Sequence, residues 1–448
     1  MGPAHLRQLR YLSPLRAFLV TWGVVGVVWF SVSNTTFERV TGSSRHSSGT
    51  AYAYVAAALA AFALGVLLGP SLFRGRRSAR IPVAGLDERA LETLRRAGDA
   101  AAAVGVAITL GMIGVGTLRA GGISPLFAAL RGDEQSAAIF LSARLQGVSV
   151  WVHLTFACAT IGSLGIVAAR RSGADPAPFR RILLVGFLVD VVNGLVLDER
   201  LAIFEYIVAA FVATVGAQAL TGRRLFTPRN VRRGLVLVGI LVLVWGYGEY
   251  RRTYVPRYDR TATTEAVHKP SVARLGFDQF AAYVLSSPNN ALYAVDHYRT
   301  QTYVFWSLNG VITTFLLDSP STPIIGQGIT RVSEMLKEIY YPNGPFTTFS
   351  LPGYAFLDLS WTGIGLLFWF GALCGAVFAR FVAGELWAVL IYPFVFVGVV
   401  DSYRTMYWTQ TRVFVPCFLI ALTCRSLYKA RHARRRLLVP APRRQLVQ

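Results

Sequence analysis

Long apolar runs, broken by short basic or Gly/Pro-containing segments, set the rhythm of this chain. A membrane-crossing helix needs about 20 mostly apolar residues. Ten runs come close to that length, at about 17–33, 51–70, 99–118, 147–168, 182–197, 201–220, 234–249, 354–378, 385–400 and 412–428. Apolar residues continue around every face of these runs, which distinguishes spanning helices from amphipathic surface ones. The predicted fold class is therefore all-α: a polytopic membrane protein of about ten transmembrane helices. Residues 1–448 form a single integral membrane domain, with a large external loop at 250–353 and a basic tail at 429–448. Within that loop Phe277–Leu285 reads as an amphipathic piece lying on the membrane surface, and Thr302–Leu317 as a re-entrant or interfacial helix. A connection this long with helical pieces of its own is usually functional.

Composition supports the same reading. The 448 residues are 54% hydrophobic and only 15% charged, below the roughly 25% of a soluble domain. A formal net charge of +22 suggests a nucleic-acid partner at first sight, but the apolar runs exclude one. The excess has a location instead. Arg7, Arg10 and Arg16, the cluster from Arg74 to Arg96, Arg170, Arg171, Arg180 and Arg181, Arg223 to Arg233, Arg380 and the tail from Arg425 to Arg436 all fall in alternate loops. The positive-inside rule then puts both termini in the cytoplasm. The first run is followed by Ser33-Asn34-Thr35-Thr36 rather than by a small-residue cleavage pattern, so it reads as a retained anchor. Cys158, Cys374, Cys417 and Cys424 lie in or beside apolar runs and read as packing residues.

Charges within apolar runs are costly and mark where chemistry is to be sought. Asp190 and Asn193 precede the turn Asp198-Glu199-Arg200, and Glu205 follows it. Arg200 either pairs with these carboxylates or binds an anionic lipid headgroup through its planar fork. The connection from Asp401 to Arg412 sets Arg404 and Arg412 among Tyr403, Tyr407 and Trp408. It is either an aromatic belt with snorkelling arginines at the outer boundary, or a platform on which aromatic faces meet sugars and arginines meet phosphate. Arg299, beside Asp296 and His297, invites the same two readings. Farther on, a Pro/Gly-rich approach carries Tyr354 and Asp358 into the outer end of a span, which continues with Gly371-Ala-Leu-Cys-Gly375, a spacing for close helix packing.

Asn343 ahead of Thr347, then Tyr354-x3-Asp358-x4-Gly363 running into a Gly-spaced span after a large external loop, resembles the Wzy-type oligosaccharide repeat-unit (O-antigen) polymerases. The Arg200 turn between two mid-chain spans is similar to that family too. The likeness covers the architecture from about 100 to 428. Where the family carries Asp-Phe-Gly-x-x-Gly, this chain has Asp358-Leu-Ser360-Trp-Thr-Gly363.

The resemblance implies an inverting glycosyl transfer on the external face, without metal or other cofactor. Its substrates would be polyprenyl-diphosphate-linked oligosaccharides, and its partners membrane lipids, flippase and chain-length regulator proteins. A diphosphate leaving group asks the enzyme chiefly to stabilise negative charge and align an acceptor hydroxyl. On that reading Arg200, Arg404, Arg412 and Arg299 hold the diphosphate, with Tyr354 and Trp408 beside the substrate. Asp358, Asp401 or His297 accepts the hydroxyl proton. Rival readings are an O-antigen ligase-like or other polyprenyl-dependent glycosyltransferase, and a lipid-linked oligosaccharide flippase or transporter. No internal repeat supports a transporter.

Overall fold

The structure, a computed structural model, describes residues 9–73, 81–131, 136, 139–140, 142, 148–196, 200–222, 232, 234, 236, 239, 272–298 and 348–438. Among these residues helix is the dominant regular structure and there is no β-strand, only an isolated bridge between Pro82 and Glu385. The helices are α1 (Pro14–Ser31), α2 (Asn34–Thr41), α3 (Gly49–Leu72), α4 (Glu88–Arg119) and α5 (Ser124–Arg131). After them come α6 (Thr155–Ser172), α7 (Ala177–Val196), α8 (Arg200–Leu220) and α9 (Val272–His297). The chain closes with α10 (Leu351–Leu359), α11 (Gly363–Val382), α12 (Leu386–Val400) and α13 (Thr411–Leu438).

Eight stretches among the described residues are long and apolar enough to cross a membrane, which makes this an all-α, multi-pass membrane protein. They coincide with eight of the ten apolar runs. Of the run at 182–197, residues 182–196 are also helical, within α7, a helix whose apolar character Arg180, Arg181 and Asp190 interrupt. The run at 234–249 and the segment 302–317 lie outside the described residues, apart from Gly234, Val236 and Gly239, which are helical.

Local signals set the helix ends. Ser48 accepts from the Ala51 N–H at 3.0 Å and caps α3, while Asp87 does the same for α4 through Ala90 at 2.9 Å. At 32 residues α4 is longer than a bilayer core requires. Its first turns carry an ion-pair network of Glu92, Arg95, Arg96 and Asp99, to which Arg181 of α7 adds a 3.0 Å contact.

Two interleaved cores hold the bundle. One joins α4, α6, α8, α12 and α13; the other joins α1, α3, α9, α10 and α11. In the second, α3 and α11 run side by side in unusually close contact because small residues face each other. A Cβ on Gly371 would stand 2.1 Å from the Phe62 carbonyl oxygen, and one on Gly375 equally close to that of Val66. Gly65 and Gly69 of α3 face Phe368 and Ala372 in the same way. The Gly371–Gly375 spacing thus does what it does in membrane bundles generally, letting two backbones approach. Gly371→Ala is expected to lower stability by about 1–3 kcal/mol. Gly365→Ala, where an added Cβ meets nothing, should leave it unchanged. Melting of the detergent-solubilised variants checks the contrast.

The apolar run at 354–378 is two helices rather than one. α10 ends at Leu359, a single 3₁₀ turn covers Ser360–Thr362, and α11 begins at Gly363. Ser360 takes φ 53° and ψ −138°, the one non-glycine residue at positive φ among the described residues. This backbone region disfavours side chains and costs on the order of 1–3 kcal/mol. Ser360→Gly should therefore raise stability by about 1 kcal/mol, readable as a higher melting temperature.

α9 departs from the expected surface helix. From Ala281 to Val295 nearly every position is buried, against α2, α3, α10 and α1. Of the stretch predicted to lie on the membrane surface, Ala281, Ala282, Val284 and Leu285 are buried in the core. Its alternation of alanines with larger residues suits helix–helix contact, and the polar Ser286, Ser287, Asn289 and Asn290 are buried with it. Three of these polar groups have visible partners. Asn290 donates to the Thr348 carbonyl at 2.9 Å, the Ser287 hydroxyl pairs with that of Thr348, and Asn289 donates to the Ser44 carbonyl at 3.0 Å. The four cysteines are free and buried or half-buried in the packing.

Candidate functional site

α12 has 15 residues and reaches only about 22 Å, short of the roughly 30 Å of a bilayer core. With the 3₁₀ turn that follows it, the stretch Leu386–Tyr403 is long enough to span, and its C-terminal end packs against α1. Trp22, halfway along α1, donates from its indole nitrogen to Ser402 Oγ at 2.9 Å. Trp408 stacks on Phe62, halfway along α3, with ring centroids 5.6 Å apart and planes 7° from parallel. The connection 401–410 therefore meets α1 and α3 at mid-length, while it also lies at the start of α13 and beside the first turns of α8. It comprises two 3₁₀ turns, Asp401–Tyr403 and Tyr407–Thr409. Irregular backbone beside spanning helices is tolerated only where protein satisfies it or where it lines a polar space.

The turn satisfies itself in part. Asp401 O accepts from the N–H groups of Arg404 and Thr405, and Gln410 Nε2 donates to Thr405 Oγ1 at 2.9 Å. The Arg404 guanidinium grips the Asp401 carboxylate with two bonds, from Nε at 3.0 Å and Nη2 at 2.9 Å. The Tyr354 hydroxyl, arriving from α10, bonds to Thr405 and faces both Arg404 and Asp401.

At the far end of the turn, Arg412 Nη1 donates to both carboxylate oxygens of Glu205, each at 3.2 Å. Glu205 lies a turn and a half into α8 and is 1% exposed. Tyr407, fully buried, lies beside it. Asp401 and Arg404 lie within electrostatic reach of Glu205, so the two ion pairs form one cluster. Helices α8, α10, α12 and α13 converge here with two positive and two negative side chains.

Several sequence expectations change. Arg404 and Arg412 do not snorkel from an aromatic belt: each is paired with a carboxylate inside the bundle. Glu205 pairs with Arg412. Asp190 accepts from Thr155 Oγ1 at 2.8 Å, and Asn193 donates to Thr109 at 2.9 Å. Arg200 begins α8; its side chain and all of Arg299 lie outside the described residues. Trp408 is half-buried. Phe62 covers one face, a Cβ on Gly398 would stand 2.1 Å from its Nε1, and that nitrogen donates to the Val395 carbonyl at 3.2 Å. Tyr354 is buried beside the same turn. Asp358 is completely buried at the end of α10.

His297 belongs to a different constellation. It stacks on Tyr293 with centroids 4.0 Å apart, and its ring faces that of His46 at 5.3 Å. His46, from the loop between α2 and α3, pairs through Nε2 with Asp296 Oδ2, and its backbone N–H donates to Asn289 Oδ1 at 2.7 Å. Burial would raise the Asp296 carboxyl, but hydrogen bonds from Ser48 and His46, with the charge of both histidines, outweigh it and hold the group below the ordinary value. A depressed carboxyl contributes stability above its unfolded value, about 3.9 for Asp, and loses it as pH falls through the lower folded value. The loop at 43–48 should accordingly stay docked on α9 at mildly acidic pH and loosen only below about pH 4. Hydrogen exchange of that loop against pH tests this, and Asp296→Asn should loosen it already at neutral pH.

His46 carried no signal in the sequence, since a lone histidine in a short loop has no spacing to read. The Glu205–Arg412 pair bridges 207 positions and is equally silent. No protein-family model, no curated protein and no solved structure matches this chain.

Proposed function

We propose that this protein is a membrane glycosyltransferase that polymerises polyprenyl-diphosphate-linked oligosaccharide repeat units on the external face of a bacterial cytoplasmic membrane. The observation that carries the proposal is the pair of arginines held inside the bundle on the 401–412 connection. Their planar forks suit a diphosphate, and low surrounding polarity strengthens whatever they hold. In an inverting transfer the acceptor hydroxyl attacks the anomeric carbon as its bond to the diphosphate breaks, and the charge gathers on the departing oxygens. Arg404 and Arg412 would stabilise that charge, while Tyr354 and Thr405 fix the turn that presents Arg404. Asp358, Asp401 and His297 remain the groups proposed to accept the hydroxyl proton. The positive φ of Ser360 adds support, because that position is where the polymerases it resembles carry a glycine.

A second reading has an observation of its own. A helix broken at Ser360 and a polar turn that meets α1 and α3 at mid-length are also features of transporters, whose binding sites lie near the midplane. A lipid-linked oligosaccharide flippase is therefore the alternative. Deleting the gene and resolving surface glycan on a gel separates the two. A polymerase leaves single repeats at the surface without the high-mass ladder, whereas a flippase leaves lipid-linked repeats accumulating on the cytoplasmic face. An unchanged ladder overturns both.

A further inference from the structure

The two arginines are already occupied, which bears on how a diphosphate reaches them. The Arg404 Nε/Nη2 edge, the edge that would fit two phosphate oxygens, is filled by the two oxygens of Asp401 at 3.0 and 2.9 Å. Arg412 holds Glu205 through one nitrogen at 3.2 Å to each oxygen, longer than the 2.7–2.9 Å typical of a charge-assisted bond. Both carboxylates lie within the protein, with Glu205 almost fully buried, so water cannot compensate them once their arginines are taken. The cluster as it stands is neutral. A sugar-linked diphosphate diester brings two negative charges, and with both carboxylates still ionised the buried site would hold a net charge of −2.

Resting on the diphosphate-clamp reading above, we propose that Glu205 and Asp401 are resident counter-ions. They keep Arg412 and Arg404 aligned in the empty site, then yield them to the diphosphate, and Glu205 takes up a proton as it binds. The groups facing Glu205 are Arg412 from α13, Arg404 and Asp401 from the turn, and Tyr407. Those facing Asp401 are Arg404, Tyr403 and Tyr354. Among the described residues the cations facing these carboxylates are the two arginines, so a proton on Glu205 offsets part of the incoming charge. A protonated carboxyl then has an O–H to donate toward a phosphate oxygen in place of the charge it gave up. Glu205 acts here through Arg412 and is a positioning residue.

Binding of a farnesyl-diphosphate-linked monosaccharide to the purified full-length protein in detergent tests the exchange, because this diester keeps its charge between pH 6 and pH 8. The wild-type protein should bind more weakly as pH rises, by up to about tenfold per unit for each proton taken up. Glu205→Gln should bind about tenfold tighter than wild type at pH 8, with a shallower pH dependence. A merely structural ion pair predicts the opposite sign, weaker binding when the carboxylate is neutralised. Weaker binding by Glu205→Gln, or a wild-type affinity that does not change with pH, overturns the counter-ion role while leaving the clamp. Absence of any wild-type binding overturns both. The wild-type pH series stands alone should Glu205→Gln fail to fold.

Discussion

Arg412→Ala should cost about 3–5 kcal/mol of stability and abolish the polymer ladder. Removing the guanidinium leaves Glu205 buried with its counter-charge gone, and an uncompensated buried carboxylate is far more expensive than the pair it came from. The informative companion is the double variant Glu205→Leu/Arg412→Met. Replacing a buried ion pair by apolar residues of similar size is often neutral or stabilising, so this protein should recover most of the lost stability. It should still make no polymer, because nothing remains to hold the diphosphate. Thermal melting in detergent and a surface-glycan gel of a complemented deletion strain supply the two readouts. A double variant that restores the ladder would reduce the pair to a structural role.

The gross fold was open to reading because hydropathy reports directly on what lipid tolerates. Every apolar run of adequate length that falls on described residues is helical. Gly371 and Gly375 were legible for a related reason: backbone contact between helices admits few residue types, so their spacing carries the packing with it.

Depth and partnership were not legible. Trp408 and Tyr407 have the composition of an interfacial belt, yet Tyr407 is fully buried and Trp408 stacks on Phe62. The α9 sequence, rich in alanine but crossed by Ser286, Ser287, Asn289 and Asn290, looks like a surface helix to a hydropathy window. Its burial depends on hydrogen-bond partners such as Thr348 and Ser44, which come from distant parts of the chain. Glu205 was visible as a costly charge within a span, but its partner across the bundle was not. The break at Ser360 was hidden for a different reason: an apolar run looks continuous whether or not its backbone is.

Arg404→Lys isolates geometry from charge. Lysine keeps the positive charge and can still meet Asp401, but it offers one ammonium in place of a planar pair of donors. The present arrangement uses two donors of that fork at once, and a diphosphate taking over the same edge would need both. Arg404→Lys is therefore expected to accumulate to wild-type levels while polymer length collapses to single repeats. Loss of one charge-assisted, well-oriented contact in a buried site corresponds to about 10²–10³ in rate. Arg404→Ala should be worse in a distinguishable way, since it also strands Asp401 in its buried turn and so lowers protein abundance. A lysine variant with a normal ladder would mean that only net charge matters at 404. The diphosphate would then have to be gripped elsewhere, with Arg200 and Arg299 the next positions to substitute.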